Sequence, residues 1–339
     1  MLRLDGSYGE GGGQILRTSL SLSAMLGAPL RLEQIRAGRP RPGLRPQHLT
    51  AVRALARITQ AEVNGAELHS RELTFKPRPP QPGHYLVDVA EKSGSAGSVT
   101  LIAQALLPPL LIAGPSTLIL RGGTHVPWSP TAHYLIQVFL PALARLGAQV
   151  SMTLEGWGWY PRGGGEVRLA IKSGQALTGV DWRSPPDPSD FRVISAASRL
   201  PEHVSRRQAA RLRERLGQEL PVEQVAAFGL DPGSLVFLWG PRAGFDALGA
   251  RGKPAEQVAD EAAGAYLTFR QRRGAVDPHL ADQIVLYLAL AQGPSTLITS
   301  EITSHLLTNL WVIEQFLGPT FQMKGNLGER GEIFCQGKG

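Results

Sequence analysis

Gly114-Pro115-Ser116-Thr117-Leu118-Ile119-Leu120 recurs almost unchanged as Gly293-Pro294-Ser295-Thr296-Leu297-Ile298-Thr299, and Gly27-Ala28-Pro29-Leu30-Arg31-Leu32-Glu33 is a weaker third copy. Each copy follows an apolar segment of helical spacing and opens a strand, with its leading glycine or proline as the break between them. A second amphipathic helix and further strand-like runs follow each one. The copies start at 27, 114 and 293, so the first interval is 87 residues and the second 179. The 92-residue excess is the size of a small domain, lodged between copies two and three.

Working outward, repeat one reads as a strand at 2–4, helices at 13–25 and 47–60, and strands at 30–36, 62–67 and 72–76. Repeat two reads as strands at 84–89, 116–121, 149–154 and 166–171, with helices at 97–112 and 130–146. Repeat three supplies helices at 279–291 and 304–317, a strand at 295–300 and terminal strands. Each unit is βαβαββ, which predicts an α+β fold of three four-stranded sheets, each backed by two helices that can bury against the other pairs. The expected division is 1–176 for repeats one and two, 177–273 for an inserted small α/β domain and 274–339 for repeat three. The insert follows the proline-rich run Trp182-Arg183-Ser184-Pro185-Pro186-Asp187-Pro188. Its basic helix, with Arg206, Arg207, Arg211 and Arg213, reads as a solvated face rather than an RNA-binding one.

A chain of 339 residues with 42% hydrophobic content can bury a large core. Its longest apolar stretch, 101–113, is interrupted by Gln104, Pro108 and Pro109 and is too short to span a bilayer. No signal-peptide pattern is present, so the expectation is a cytoplasmic protein with no membrane partner. Cys335 is the only cysteine, which excludes an intramolecular disulfide and a cysteine-based zinc site. Basic residues outnumber acidic ones 35 to 28, and only six are lysine. Arginine forks suit phosphate oxygens, so polyphosphate or nucleic acid is the partner class suggested; an arginine-rich composition is the plain alternative.

Four stretches carry possible chemistry. Gly9-Glu10-Gly11-Gly12-Gly13-Gln14 joins a strand to a helix, with Arg17 one turn on. It lacks the third glycine of a dinucleotide fingerprint, and no G-x-x-x-x-G-K-[ST] occurs, yet such amides can approach a phosphate while Glu10 holds a divalent cation on it. The proline-stiffened loop from Arg36 through Arg39, Arg41 and Arg45 to Gln47 and His48 contains four arginines and no acid, which favours an anion site. Arg17, Gln104 and Gln283 each stand ten residues before a repeat glycine, so three equivalent helices could converge them on one ligand. In Thr303-Ser304-His305-Leu306-Leu307-Thr308-Asn309 a capped helix start keeps a histidine neutral and welcomes a phosphate. A satisfied histidine at a helix start is the bland reading of that stretch.

These motifs, with Gln47-His48-Leu49-Thr50-Ala51-Val52, Ser93-Gly94-Ser95-Ala96-Gly97-Ser98 and Arg121-Gly122-Gly123-Thr124, closely resemble those of RNA 3'-terminal phosphate cyclases, in order over nearly the whole length. The resemblance implies three repeats like the C-terminal domain of translation initiation factor 3 plus a smaller inserted domain. It also implies a three-step reaction in which a histidine takes AMP from ATP, AMP passes to an RNA 3'-phosphate, and the neighbouring 2'-OH displaces it to close a 2',3'-cyclic phosphate. By position His305 resembles the nucleophile and Glu10 the contact to magnesium or manganese. Gln14, Arg17, Arg36, Arg39, Gln47 and His48 resemble the phosphate-binding set. Gln104, Pro130, Tyr134, His279, Leu280, Ala281, Asp282 and Gln283 resemble the nucleotide pocket. His279 stands where relatives can carry tyrosine, and Tyr134 where they can carry phenylalanine. ATP, a divalent metal and RNA with a 3'-terminal phosphate are the implied ligands, with homo-oligomerisation left open. Two competing readings are a catalytically silent scaffold in ribosome assembly, which would lack the histidine, and an enolpyruvyl transferase built from related repeats.

Overall fold

The computed structural model describes residues 1–89, 96–172, 176–216 and 221–338. β1 (Leu2–Asp5), α1 (Gly13–Leu26), β2 (Leu30–Glu33), α2 (Pro46–Thr59), β3 (Glu62–Asn64) and β4 (Leu73–Lys76) make a sheet of order β1-β2-β4-β3. β5 (His84–Asp88), α3 (Val99–Ala113), β6 (Ser116–Gly122), a broken helix at 132–145, β7 (Gln149–Gly156) and β8 (Gly165–Lys172) repeat it as β5-β6-β8-β7. That broken helix starts as α4 (Ala132–Tyr134), widens to a π-helical turn at Leu135–Phe139 and ends as α5 (Leu140–Arg145). Pro141 has no N–H to give Gln137, and the Leu140 N–H reaches back to the Leu135 carbonyl instead.

β9 (Asp181–Trp182) comes next, followed by β10 (Arg192–Ser198), α6 (His203–Leu216), β11 (Val222–Ala226), β12 (Gly233–Gly240), β13 (Ala243–Leu248) and α7 (Ala255–Arg272). The four strands after β9 form their own sheet, β11-β10-β12-β13. α8 (Pro278–Leu290), β14 (Ser295–Thr299), α9 (Ser304–Leu317), β15 (Phe321–Lys324) and β16 (Gly331–Cys335) close the chain in a sheet of order β15-β16-β14-β9.

That last sheet corrects the expected boundary at 177. Asp181 and Trp182 pair in parallel with Thr296 and Leu297, so β9 is the first strand of repeat three and the chain leaves the repeat only after laying it down. Two further expectations shift. β2 ends at Glu33 rather than at 36, because Gln34 and Arg36 take left-handed backbone angles (φ +51° and +55°) that no strand continues through. The α6 arginines are also not simply solvated: Arg207 forks onto Glu256 at 2.7 Å, and Arg211 and Arg215 both reach Asp260 on α7. They tie two helices of the insert together.

The helices of the three repeats share one core, to which Leu20, Leu106, Val285 and Leu306 contribute, each fully buried. α1 lies at its centre, against α2, α3 and α9. Its buried Ser19, Ser21 and Ser23 are small enough for close approach. The Ser21 hydroxyl lies 2.8 Å from the Ala105 carbonyl, which Pro109 cannot serve because it has no N–H. Along β12 the faces alternate: Leu235 and Phe237 join the main core, while Val236 and Leu238 pack with Phe191, Tyr266 and Phe269 beneath the insert. No helix among the described residues is long and apolar enough to cross a membrane.

Candidate active site

The helix layer opens on one cleft of about 1160 Å³, lined by residues of all three repeats and of the insert. Thr303 caps α9, its hydroxyl accepting the Leu306 N–H at 3.0 Å, and this sets His305 at the helix mouth on the cleft wall. His305 Nδ1 lies 3.0 Å from Glu10 Oε1 in the glycine loop, nearly three hundred positions away in the chain. A carboxylate can only accept, so Nδ1 carries the ring proton and the lone pair sits on Nε2. Partial desolvation lowers the imidazole pKa below its ordinary value, and Glu10 partly opposes that shift. Near pH 7 the ring is neutral. The helix start alone had suggested the same state.

The other oxygen of Glu10 is held by Arg39 at 3.1 Å. Gln14 is buried and gives its amide N–H to the His305 carbonyl at 2.9 Å, so it positions the histidine's backbone. Asn309 acts likewise, bridging the Asp282 carbonyl (2.7 Å) and the Thr18 hydroxyl (2.8 Å) across α8, α9 and α1. Arg17 is half-buried and pushed down to about 10 by desolvation, with Asp282 opposing. His48 is pushed down to about 3 by burial and by Arg17, Arg36 and Arg45 around it. Its Nδ1 accepts the Arg45 N–H at 3.2 Å, which leaves the proton on Nε2 over Gly13, where a Cβ would overlap the ring. Arg36 is braced on the backbone carbonyls of Arg41 (2.7 Å) and Gly43 (3.0 Å), and the Gln47 side-chain Oε1 accepts the Ser98 N–H at 2.9 Å. Ser93, Gly94 and Ser95 of the motif at 93–98 lie outside the described residues.

Gln104 donates to Gln283 at 2.6 Å, and Arg17 lines the same cleft beside Gly13 and His48. Pro130 lines the same wall, its carbonyl accepting the Thr100 hydroxyl at 2.6 Å. Tyr134 is buried, meets His279 edge-on with ring centres 6.5 Å apart, and spends its hydroxyl on Asp277. Leu280 and Ala281 do not belong to this wall. Both are fully buried in the core, because on α8 positions 279, 282, 283 and 286 face the cleft and the residues between them face inward.

The sequence reading missed Gly244, Phe245 and Asp246, which β13 brings from the insert to the cleft. Asp246 faces the cleft, accepts from the Thr131 hydroxyl at 2.8 Å, and has its pKa raised by desolvation. Asp277 was missed too, although Asp-Pro ahead of an apolar run is a readable helix start.

Asp282 carries a measurable consequence. Burial raises its carboxyl to about 7, above the ordinary value of 3.8, with Asp277 adding to the shift and Arg17 opposing it. A raised folded-state pKa means that the folded chain holds the proton more tightly than the unfolded one between those values. Wild type should therefore lose stability relative to Asp282→Asn as pH rises from 4 towards 7, by up to about 1.4 kcal/mol per pH unit. Urea denaturation of both proteins across that range reads the difference, in which contributions from other groups cancel. Parallel curves would mean that Asp282 titrates normally.

The family model described as RNA 3'-terminal phosphate cyclase matches residues 8–323. A protein named RNA 3'-terminal phosphate cyclase from Gloeothece citriformis is 50% identical over 327 residues, covering 93% of each chain. One of the same name from Pyrobaculum neutrophilum is 46% identical over 348 residues, covering 100% of this chain and 99% of its own. Among solved structures, an EPSP synthase from Acinetobacter baumannii aligns over 99% of this chain and 65% of its own, at 12% identity and a TM-score of 0.32, too low to support any argument. With a cleft that gathers the glycine loop, the arginine loop and the helix-mouth histidine, and with relatives matched from end to end, this chain belongs to the RNA 3'-terminal phosphate cyclase family.

Proposed function

We propose that the protein uses ATP to convert an RNA 3'-terminal phosphate into a 2',3'-cyclic phosphate, with His305 carrying the adenylate between the two substrates. The observation that carries this reading is the Glu10–His305 contact, which fixes the proton on Nδ1 and leaves Nε2 free to attack phosphorus. His305 Nε2 forms the N–P bond to the α-phosphorus as the bond to pyrophosphate breaks. Arg17, Arg36, Arg39 and the Nε2–H of His48 lie in the same cleft to balance the charge of that leaving group. An oxygen of the RNA 3'-phosphate then attacks the same phosphorus and the P–N bond breaks, returning the imidazole with Glu10 still accepting from Nδ1. Last, the 2'-oxygen attacks the 3'-phosphorus, AMP leaves, and the hydroxyl proton passes to solvent. The adjacent 2'-OH is already in place, so this step needs no strong base. Gln104, Pro130, Tyr134, His279, Asp282 and Gln283 form the pocket for the nucleotide's base and sugar.

Among the described residues no group of three or more His, Cys, Asp and Glu could hold a metal ion. Glu10 alone beside His305 suits an ion that arrives on the nucleotide phosphates, where one carboxylate completes the coordination. Magnesium or manganese held there would supply further charge neutralisation. The test is ATP labelled at the α- or the γ-phosphate, incubated with the protein with and without EDTA. Label should stay on the protein from the α position only, require the metal, and be released by RNA bearing a 3'-phosphate. Retention of γ-label, or of none, would reject the reading.

A further inference from the structure

Trp128 is 95% exposed, yet its backbone sits at φ +60°, a region that a bulky side chain rarely takes unless its surroundings impose it. Pro127 and Pro130 flank it, and the Ser129 hydroxyl donates to the Val126 carbonyl at 3.0 Å, so the loop is braced in that shape. A second loop is tied alongside: the His125 N–H donates to the Gly158 carbonyl at 2.9 Å, and the Ala96 N–H to the Pro161 carbonyl at 2.9 Å. It carries Tyr160, 65% exposed. Both rings border the catalytic cleft, whose lining also includes Arg36 and Arg45, and the reaction as written uses neither ring.

An indole left in water on a rigid loop is poised for something that covers it. A cationic cleft edged with exposed aromatic rings is the arrangement that recognises single-stranded nucleic acid, with phosphates on the arginines and bases on the rings. The geometry points to Trp128 and Tyr160 as a stacking platform for an unpaired base next to the reacting 3' end of the RNA. The inference rests on the proposed cyclisation: with the 3'-phosphate near His305, the rest of the RNA must leave through the cleft mouth. The adenine of ATP is the other candidate for the rings. Its expected pocket lies deeper, beside Tyr134, which is 2% exposed.

Two measurements on Trp128→Ala, Tyr160→Ala and the double variant test this. Equilibrium binding of a short fluorescent RNA ending in a 3'-phosphate should weaken about tenfold or more for Trp128→Ala, less for Trp128→Phe, and most for the double variant. Self-labelling from α-labelled ATP without RNA should keep its KM for ATP within about twofold, since neither ring packs in the core. Unchanged RNA binding in the double variant would overturn the proposal, and so would a rise in the KM for ATP that matches the loss of RNA binding. If the wild type takes no label at all, the adenylylation reading fails, while the binding measurement still decides whether the rings hold RNA.

Discussion

His305→Ala is expected to take up no label from α-labelled ATP and to lose cyclase activity by at least about a thousandfold, the scale on which removal of a nucleophile acts. The fold should be little affected. The ring is exposed on the cleft wall, the Thr303 cap does not involve it, and Gln14 bonds the His305 backbone carbonyl, which alanine retains. Thermal unfolding within a few degrees of wild type would separate lost chemistry from lost structure. Glu10→Gln gives the intermediate case. Its amide oxygen can still accept from Nδ1, but the negative charge that stabilises a developing imidazolium is gone, so labelling should slow by about ten- to a hundredfold. An alanine variant that still accepts adenylate at a normal rate would place the nucleophile elsewhere.

The repeats were legible because a seven-residue string fixed their register, and the same register is what brings Gln104 and Gln283 into contact and puts Arg17 in the same cleft. What escaped were contacts with no local signal. β9 is two residues long and its pairing partner β14 lies beyond the whole insert, so nothing near Asp181 marks it as a strand of repeat three. β13 has none of the β-branched residues that mark a strand, yet it delivers Asp246 to the cleft. Leu280 and Ala281 went astray for a different reason. They were carried as part of a motif, whereas the helical period already assigns them to the core face. The α6 arginines show the limit of charge counting: their partners stand about fifty residues away on α7.

Asp277→Ala should be among the most destabilising single substitutions in the chain, by about 3–5 kcal/mol. The carboxylate is fully buried and accepts from four groups on three parts of the fold. The His279 and Leu280 N–H groups (2.7 and 2.9 Å) begin α8, the Tyr134 hydroxyl belongs to repeat two, and the Gly244 N–H (3.0 Å) belongs to β13 of the insert. Loss of a helix cap costs about 1 kcal/mol. The larger cost is the tyrosine hydroxyl and the glycine N–H left buried without an acceptor, each about 1–3 kcal/mol. Asp277→Asn keeps one acceptor oxygen but points an NH2 at donors, so it should fall between alanine and wild type. Chemical denaturation gives the ranking. Because Tyr134 and Gly244 both border the cleft, the alanine variant should also raise the KM for ATP in self-labelling at temperatures where it is still folded. A loss of stability below about 1 kcal/mol, with an unchanged KM, would mean that the three parts hold their places without this carboxylate.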